Sequence, residues 1–395
     1  MSSTPVAAPI LLPAFALFLS GASACGGGDG RDNLTQPDQD ASDIMVPNTG
    51  TLVVIDRETG STFNLRGEAF LGPLADEGLE LEQLPGVNMF WFAWSIYFPG
   101  SEVWGRTETV RQATLPADKT GSTACGGGAD CIPSLPNTGP PSGALAWTTK
   151  DAGDASYLRD TDLVLGTFIG RKPRAYPHNV LWWHEIANDQ VDGVSYSVTF
   201  CPLTGSGVVW GGGGNPPSFG VSGNLFNSNL VMYDHASDSL WPQLWGGGVS
   251  GQRSGDWLTM LPATETTWAQ WKEIHPETLV LSDDTGFSRD YQSYPYGNYR
   301  TDDSTTFRTT NPLPDPMYAN KTMTFGLFDR PSGAARAYVH TDLASVAGAR
   351  AAVNDSFGGE PVVVVYDEAT QLAIAFVAED GQGNPLTFDV AAFTP

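Results

Sequence analysis

The fold is indicated by an ordered series of motifs: Leu165-Gly166, Arg174-Ala175-Tyr176, Asn188-Asp189 and the strand-like run Ser195-Tyr-Ser-Val-Thr-Phe200. The same order returns as Phe325-Gly326, Arg336-Ala337-Tyr338, Asn354-Asp355 and Val362-Val-Val-Val-Tyr366. His178 and His340 stand four residues after the arginine of each copy. Self-similarity in a fixed order is typical of a duplicated unit, although a coincidence of strand and turn patterns is the alternative. We expect a mainly β protein with short helices (α+β), built from two related β-rich units.

Composition supports a folded, acidic protein. The chain has 395 residues, of which 41% are hydrophobic and 11% aromatic, so it can bury a large core. Its 45 Gly and 29 Pro favour many turns and short strands over a helical bundle. Acidic residues outnumber basic ones 44 to 20, which gives a formal charge of −24. Because such a surface repels phosphate backbones, we expect no nucleic-acid partner.

Residues 1–24 have the pattern of a bacterial lipoprotein export signal. A short apolar run, Val6–Leu19, precedes small residues and Cys25, and it is too short for a transmembrane helix. We expect cleavage and lipidation at Cys25, with residues 25–48 as a flexible polar tether. An ordinary cleaved signal peptide is the alternative. The predicted location is the cell envelope, with a lipid anchor in a membrane and the protein on its periplasmic or outer-surface face.

The cysteines fit an oxidising compartment. Cys125 and Cys131 are separated by a glycine-rich loop, and export would allow them to form a disulfide. Closing so short a loop stabilises by roughly 2 kcal/mol in the chain-entropy model. Two unpaired surface thiols are the alternative. With Cys25 lipidated and this pair bonded, Cys201 remains as a lone thiol that needs its own explanation.

Along the chain we divide the sequence into an N-terminal β-rich region (49–124), a core with the candidate site (125–318) and a second, degenerate repeat unit (319–395). The aromatic run Met89–Phe98 is interpreted as a buried strand, with a carbohydrate-binding or lipid-contacting surface as the alternative. Residues 261–274 have the pattern of a capped amphipathic helix that packs by its tryptophans and ends at His275, which is interpreted as structural.

The candidate site lies around Cys201. Pro177 suits the first position of a helix that continues to Ala187, which would place His184 with Asn188 on one face and Glu185 with Asp189 on the next. The following strand alternates, and Pro202 stops it, so Cys201 stands at the strand end. His184, Glu185 and Cys201 have no counterparts in the second copy.

Three roles remain open for these residues. Cys201 could be a nucleophile with His184 as base and Glu185 as its orienting carboxylate. Alternatively, the chain binds copper or zinc through His184 and Cys201, with Glu185 behind these ligands; soft copper would also accept Met232, with His178 or His235 completing the set. In the third interpretation the protein is a non-catalytic surface or assembly protein, and these residues only stabilise the fold. The sequence does not decide whether the chain is an enzyme.

Several ordered motifs resemble a family of exported bacterial and archaeal proteins, Domain of Unknown Function 3179. They are Ile132-Pro133, Asp162-Leu-Val-Leu-Gly166, Arg174-Ala-Tyr-Pro177, Trp183-His-Glu-Ile186, Asn188-Asp189, Thr199-Phe-Cys-Pro-Leu203, Phe219-Gly-Val-Ser-Gly223, Met232-Tyr-Asp234, Arg289-Asp-Tyr291 and Pro295-Tyr296. The resemblance runs from about residue 125 to the C-terminus and leaves residues 50–112 outside. It implies no assigned activity. Many members resemble Cys-Pro-Leu-Cys where this chain has Cys201-Pro-Leu-Thr204, which argues against a two-thiol role here.

Overall fold

The computed structural model describes residues 44–112, 129–135, 149–169, 172–211, 218–307, 314–330 and 332–394. Within these residues short strands dominate and the helices are short, as expected where alternating apolar and polar residues are interrupted by turn-forming glycines. The predicted fold class, mainly β with short helices, is confirmed.

The elements follow in chain order. The N-terminal part contains β1 (Leu52–Asp56), β2 (Thr62–Phe63), β3 (Ala69–Leu71), α1 (Pro73–Asp76), β4 (Gln83–Leu84), β5 (Gly86–Phe90), α2 (Trp91–Tyr97) and β6 (Glu102–Val103). The first repeat copy contains β7 (Thr149–Asp151), a 3-10 turn (Ala152–Asp154), β8 (Leu163–Ile169), β9 (Lys172–Pro177), α3 (His178–His184), β10 (Ile186–Val191), β11 (Val194–Cys201) and β12 (Ser206–Gly211).

Then come β13 (Phe219–Phe226), β14 (Asn229–Asp234), β15 (Leu240–Pro242), β16 (Thr259–Leu261), β17 (Ala263–Thr267), α4 (Trp268–Ile274) and β18 (Leu279–Leu281). The C-terminal part contains β19 (Met323–Asp329), β20 (Ala334–Val339), α5 (His340–Asp342), a π-helical turn (Leu343–Ala347), β21 (Arg350–Phe357), β22 (Glu360–Asp367), β23 (Leu372–Val377) and β24 (Phe388–Ala392).

The strands form two matching pairs of sheets, which we call unit one and unit two. Unit one has the orders β17-β8-β9-β18-β7 and β10-β11-β12-β16, and unit two has the orders β5-β19-β20-β6 and β21-β22-β23-β4. A sheet β24-β1-β2-β3 and a sheet β13-β14-β15 complete the described fold.

Equivalent residues of the two repeat copies keep the same register. Gly166 pairs with Ala175 across β8 and β9, and Gly326 pairs with Ala337 across β19 and β20. β18 runs parallel to β9, as β6 does to β20. Identical pairing of matched positions supports the duplication that the sequence motifs predicted.

The N-terminal residues supply the missing strands of unit two. β5 and β6 flank the β19-β20 hairpin, and β4 pairs with β23 at the edge of the other sheet. In unit one the corresponding strands β16, β17 and β18 follow the repeat in the sequence. The region boundary that we placed at residue 124 therefore separates strands that pair with each other in the structure.

The aromatic run Met89–Phe98 is buried, as predicted, but the strand interpretation is wrong beyond Phe90. From Trp91 the chain forms α2, and all of its residues are buried. A helix that is apolar on every side belongs in a core, and such a run hides the helical period that would distinguish it from a strand. The helix predicted over residues 261–274 is also only partly correct. Its first half forms strand β17, and the helix α4 begins after Thr267, which caps it.

Several predictions fall outside the described residues. They are the export signal of residues 1–24, lipidation of Cys25, most of the tether, and the pairing of Cys125 with Cys131, and all stay predictions. No helix in the part of the chain that the structure describes combines the length and apolarity needed to cross a bilayer.

Candidate functional site

The helix that carries the candidate residues is shorter than predicted. α3 ends at His184, because Glu185 adopts a left-handed conformation (φ 58°) and its N–H closes the helix on the Leu181 carbonyl at 2.8 Å. The chain then enters β10. Asn188 and Asp189 therefore lie on a strand rather than on helix faces shared with His184 and Glu185, and that part of the prediction is wrong.

His184 is fully buried, and both of its ring nitrogens have partners. Nδ1 lies 2.8 Å from the carbonyl oxygen of Pro133, and Nε2 lies 2.7 Å from the hydroxyl of Tyr291. Burial lowers the pKa of His184 to about 4, so the imidazole is neutral at pH 7. Because both nitrogens bond elsewhere, the predicted pairing of His184 with Cys201 as base or shared ligand is corrected.

Cys201 stands at the end of β11, as predicted. The backbones do converge, since the Phe200 N–H bonds the Glu185 carbonyl at 2.7 Å, but the thiol turns into the apolar core and lies 3.6 Å from the Ser228 carbonyl oxygen. Burial, together with the nearby Glu185 carboxyl, raises the pKa of Cys201 to about 11. The sulfur is therefore a protonated thiol at neutral pH, without the base that a cysteine nucleophile needs.

The predicted metal ligands do not all converge on one place. His178 packs against the Phe200 ring at 4.3 Å, so it lies on the opposite face of β11 from Cys201. Met232 is buried in the same apolar cluster as Cys201, and Nδ1 of His235 lies 2.8 Å from the Ser218 hydroxyl. Among the residues that the structure describes, no three His, Cys, Asp or Glu side chains are arranged to hold a metal ion.

Tyrosines from the long segment after β18 cover the end of β11. Tyr296 donates to Oε1 of Glu185 at 3.3 Å, and Tyr299 donates to the Leu203 carbonyl at 2.9 Å. Burial raises the pKa of Glu185 to about 7, and the Tyr296 hydrogen bond partly opposes this rise. Buried Glu185 and the hydroxyl of half-buried Tyr296 therefore form a polar contact beside the end of β11. This contact is that of a structural element.

A buried pair that sequence reasoning missed lies on the other side of α3. Nε2 of His178 is 3.5 Å from Oε2 of Glu265 on β17, and neither atom has a hydrogen-bond partner within the described residues. Burial lowers the pKa of His178 to about 3 and raises that of Glu265 to about 8. In unit two the equivalent atoms are Nε2 of His340 and Oδ1 of Asn88, 3.1 Å apart. The histidine is thus kept in both units while its partner differs.

A second sequence repeat could have revealed this pair. Residues 84–103 and 261–280 share Leu-Pro, then Trp-x-x-Trp seven residues after the Leu, then a Pro, a hydroxyl residue and a Val at equal spacing. The hydroxyl residue accepts from the indole in each copy: Trp94 bonds Ser101 at 3.0 Å, and Trp271 bonds Thr278 at 2.9 Å. This repeat aligns Asn88 with Glu265.

A large cavity lies away from Cys201, in unit two. Its volume is about 660 Å³, and it is formed by the end of α2, the β19-β20 turn and the β21-β22 turn. Aromatic rings and charged groups share its wall, namely Tyr97, Phe98, Trp245, Phe328, Glu102, Asp329, Arg330 and Arg336. A half-open cavity whose wall combines aromatic rings with charged and hydroxyl side chains is a candidate small-molecule site.

Arg330 is the unusual member of this wall. Its guanidinium packs against the rings of Phe98 and Trp245, with centroid distances of 4.2 and 4.8 Å. The two amino groups each donate to one main-chain carbonyl, of Tyr97 at 3.1 Å and of Leu244 at 2.7 Å. Burial lowers the pKa of Arg330 to about 9, which still leaves it charged at neutral pH. Within the described residues no carboxylate forms an ion pair with it, whereas Arg336 contacts both Glu102 and Asp355.

Comparison with known proteins gives a family and no activity. A family model described as "Protein of unknown function (DUF3179)" matches residues 30–101 and 129–390. The chain belongs to this family. Neither the curated proteins nor the solved structures that were searched contain a match.

The DUF3179 match also corrects the extent of the resemblance. Residues 50–101 were expected to lie outside the family pattern, but the model includes them. The fold explains why, since β4, β5 and α2 complete unit two. For this DUF3179 protein the function has to be argued from geometry.

Proposed function

We propose that this chain is a binding protein that holds a small carboxylate ligand in the unit two cavity. The observation that carries the proposal is Arg330, a charged guanidinium on the cavity wall without an acidic partner among the described residues. Each of its amino groups spends one N–H on a main-chain carbonyl, so each keeps a second donor. Paired N–H donors on a planar guanidinium match the two oxygens of a carboxylate.

Charge at the cavity supports an anionic ligand. The chain as a whole carries −24, yet the charged residues of the cavity wall comprise two acids and two bases. The acids already have partners: Asp329 accepts from the Ser332 N–H at 3.1 Å, and Glu102 contacts Arg336. Of the two bases, Arg336 is paired with carboxylates, whereas Arg330 forms no ion pair within the described residues, and its aromatic surroundings strengthen its attraction for an anion.

Cysteine catalysis is not favoured by the geometry at Cys201. The thiol is buried, its pKa is raised to about 11, and the nearest imidazole is engaged by Pro133 and Tyr291. A copper or zinc site at His184 and Cys201 would require both side chains to turn away from these surroundings. Of the three interpretations, the non-catalytic protein is the one that we retain, and we propose that its role is to bind a ligand in the cavity.

Export and anchoring remain part of the proposal. The apolar run before Cys25 and the polar residues after it support a lipid-anchored protein that presents the cavity at the outer or periplasmic face of a membrane. Labelling of expressing cells with an alkyne fatty acid tests this. Wild-type protein should be labelled and a Cys25→Ala variant should not, and an unlabelled wild type would refute lipidation.

Binding is tested by calorimetry with acetate, benzoate and galacturonate at constant ionic strength. We expect saturable binding of at least one of them, and Arg330→Gln should weaken it at least tenfold. Arg57→Gln is the matched control, because Arg57 pairs with Asp389 on an exposed surface far from the cavity in sequence and sheet. Ser356→Trp provides a second variant: Ser356 is exposed on the cavity rim, so a large ring there should block entry without altering the core.

The proposal fails if none of the three carboxylates binds. It also fails if a folded Arg330→Gln protein and the Ser356→Trp protein bind as tightly as the wild type.

A further inference from the structure

An exposed tryptophan continues the aromatic wall of the cavity into solvent. Trp257 is 49% exposed, and its ring centroid lies 5.8 Å from that of Trp245, which lines the cavity. Tryptophan is rarely left so exposed without a role, because its large apolar ring gains most from burial. The two indoles together form an aromatic strip that leads out of the cavity.

Glycine keeps this strip open. Gly247 pairs with Trp257 through an isolated β-bridge and stands between the rings. A Cβ at Gly247 would come within 2.9 Å of Nε1 of Trp245 and 3.1 Å of a ring carbon of Trp257. A larger residue would therefore push the rings apart or cover them, and the absence of a side chain leaves both indoles available to a ligand.

We propose that the ligand is an acidic oligosaccharide, with a uronic acid in the cavity and the next sugar on Trp257. This inference rests on the proposed carboxylate site. A uronic acid brings its carboxylate to Arg330, while the C–H face of a pyranose ring packs on indole. Sugar hydroxyls require polar partners at the same place, and the exposed side chains of Glu102 and Ser356 lie on the cavity wall.

The alternative carboxylates do not account for the strip. Acetate or an aromatic acid such as benzoate is satisfied by Arg330 and the rings that surround it, and neither reaches beyond Trp245. An acidic oligosaccharide can contact both Arg330 and Trp257. The carboxylate of one sugar would bind Arg330, and the C–H face of the next sugar would pack on Trp257.

The test compares galacturonate, trigalacturonate and the neutral maltotriose by calorimetry. We expect trigalacturonate to bind at least tenfold more tightly than galacturonate, and maltotriose not to bind. Trp257→Ala should remove this tenfold gain and leave galacturonate affinity unchanged. Leu71→Ala is the matched control, since Leu71 is equally exposed (49%) on β3, a strand that contributes nothing to the cavity.

The outcomes separate the two proposals. If acetate or benzoate binds through Arg330 but trigalacturonate binds no better than galacturonate, the saccharide inference is overturned and the carboxylate site stands. An equal affinity of Trp257→Ala and wild type for trigalacturonate also overturns it. If no carboxylate binds at all, both proposals fail.

Discussion

His178 and Glu265 face each other in the interior of unit one, where neither the charged imidazole nor the carboxylate is solvated. Burial therefore favours the neutral form of both groups, which is why the pKa of the histidine is lowered and that of the acid is raised. The two shifts have opposite effects on stability as pH rises. Substituting one residue of the pair removes its own pKa shift, so the two effects on stability can be measured one at a time.

At this scale we predict that Glu265→Gln changes how stability depends on pH. The pKa of Glu265 is raised from 4.5 to about 8, so between these values the folded protein holds a proton that the unfolded chain has lost. The free energy of unfolding of the wild type therefore falls as pH rises through this window. Glutamine has no such proton, and the variant should gain on the wild type by up to about 1.4 kcal/mol per pH unit.

Urea unfolding at pH 5 and pH 8 measures this difference. Asn88→Asp is the matched control, because it places a carboxyl beside His340 at the equivalent position of unit two. It should make stability fall more steeply with pH than in the wild type. An identical pH dependence of all three proteins would contradict the assignment of a neutral Glu265.

The sequence predicted where several site residues lie on the strands and helices, but it did not predict where their side chains point. The strand alternation placed Cys201 at the end of β11, and the duplicated motifs made His178 and His340 equivalent. The direction of the His184 ring depends on Tyr291, 107 residues later, which lies in a segment without periodic pattern. Local spacing carries no information on such a contact, so the predicted Cys201–His184 pair did not form.

At the scale of elements, each helix of the Trp-x-x-Trp repeat packs on a glycine in the neighbouring strand. A Cβ at Gly326 would collide with the Trp94 ring, and a Cβ at Gly166 would collide with the Trp271 ring. The strand and helix approach so closely in both units because the glycine has no side chain. The two contacts are equivalent in the duplicated fold.

We predict that Gly326→Ala and Gly166→Ala each destabilise the protein by roughly 1–3 kcal/mol, the usual range for an overpacked core. Urea unfolding followed by tryptophan fluorescence measures the loss. Gly381→Ala is the control, since a Cβ there meets no atom within 4 Å and the backbone is not in the left-handed region. Comparable midpoints for all three variants would show that the close approach is not needed.

Element types were harder to predict where burial is complete. In β11, polar and apolar residues alternate and the strand was identified correctly. In α2 every residue is buried, so no pattern marks the change from strand to helix at Trp91. α3 was predicted too long because nothing in the sequence marks Glu185 as left-handed, a conformation that is uncommon for residues with a side chain.

At the scale of the whole molecule, the two ends of the described chain are neighbours. β1 pairs with β24 along its length, and the Gly50 N–H bonds the Phe393 carbonyl at 2.8 Å. Unit two likewise combines the first and last parts of the described residues, since β5, β6 and β4 pair with β19, β20 and β23. A unit assembled in this way tolerates a change of chain order, provided that all of its strands are present.

We predict that a circular permutant folds. It would run from residue 113 to 394, continue through a short Gly-Ser linker to residue 44 and end at residue 112, which preserves every strand pair of the described fold and keeps both Cys125 and Cys131. Its circular dichroism spectrum and urea midpoint should be close to those of the parent protein. A variant that lacks residues 44–112 should lose the cooperative unfolding of unit two; if that deletion unfolds like the parent, the N-terminal strands are dispensable.

Because unit two combines N-terminal and C-terminal strands, its N-terminal residues are synthesised long before their packing partners. Trp91 donates to the Asp315 carbonyl, 224 positions later in the chain. The most aromatic segment of the protein therefore leaves the ribosome long before the strands that will enclose it exist. Until then this aromatic segment is exposed and prone to aggregate, and it is covered only after β19, which pairs with β5, has been synthesised.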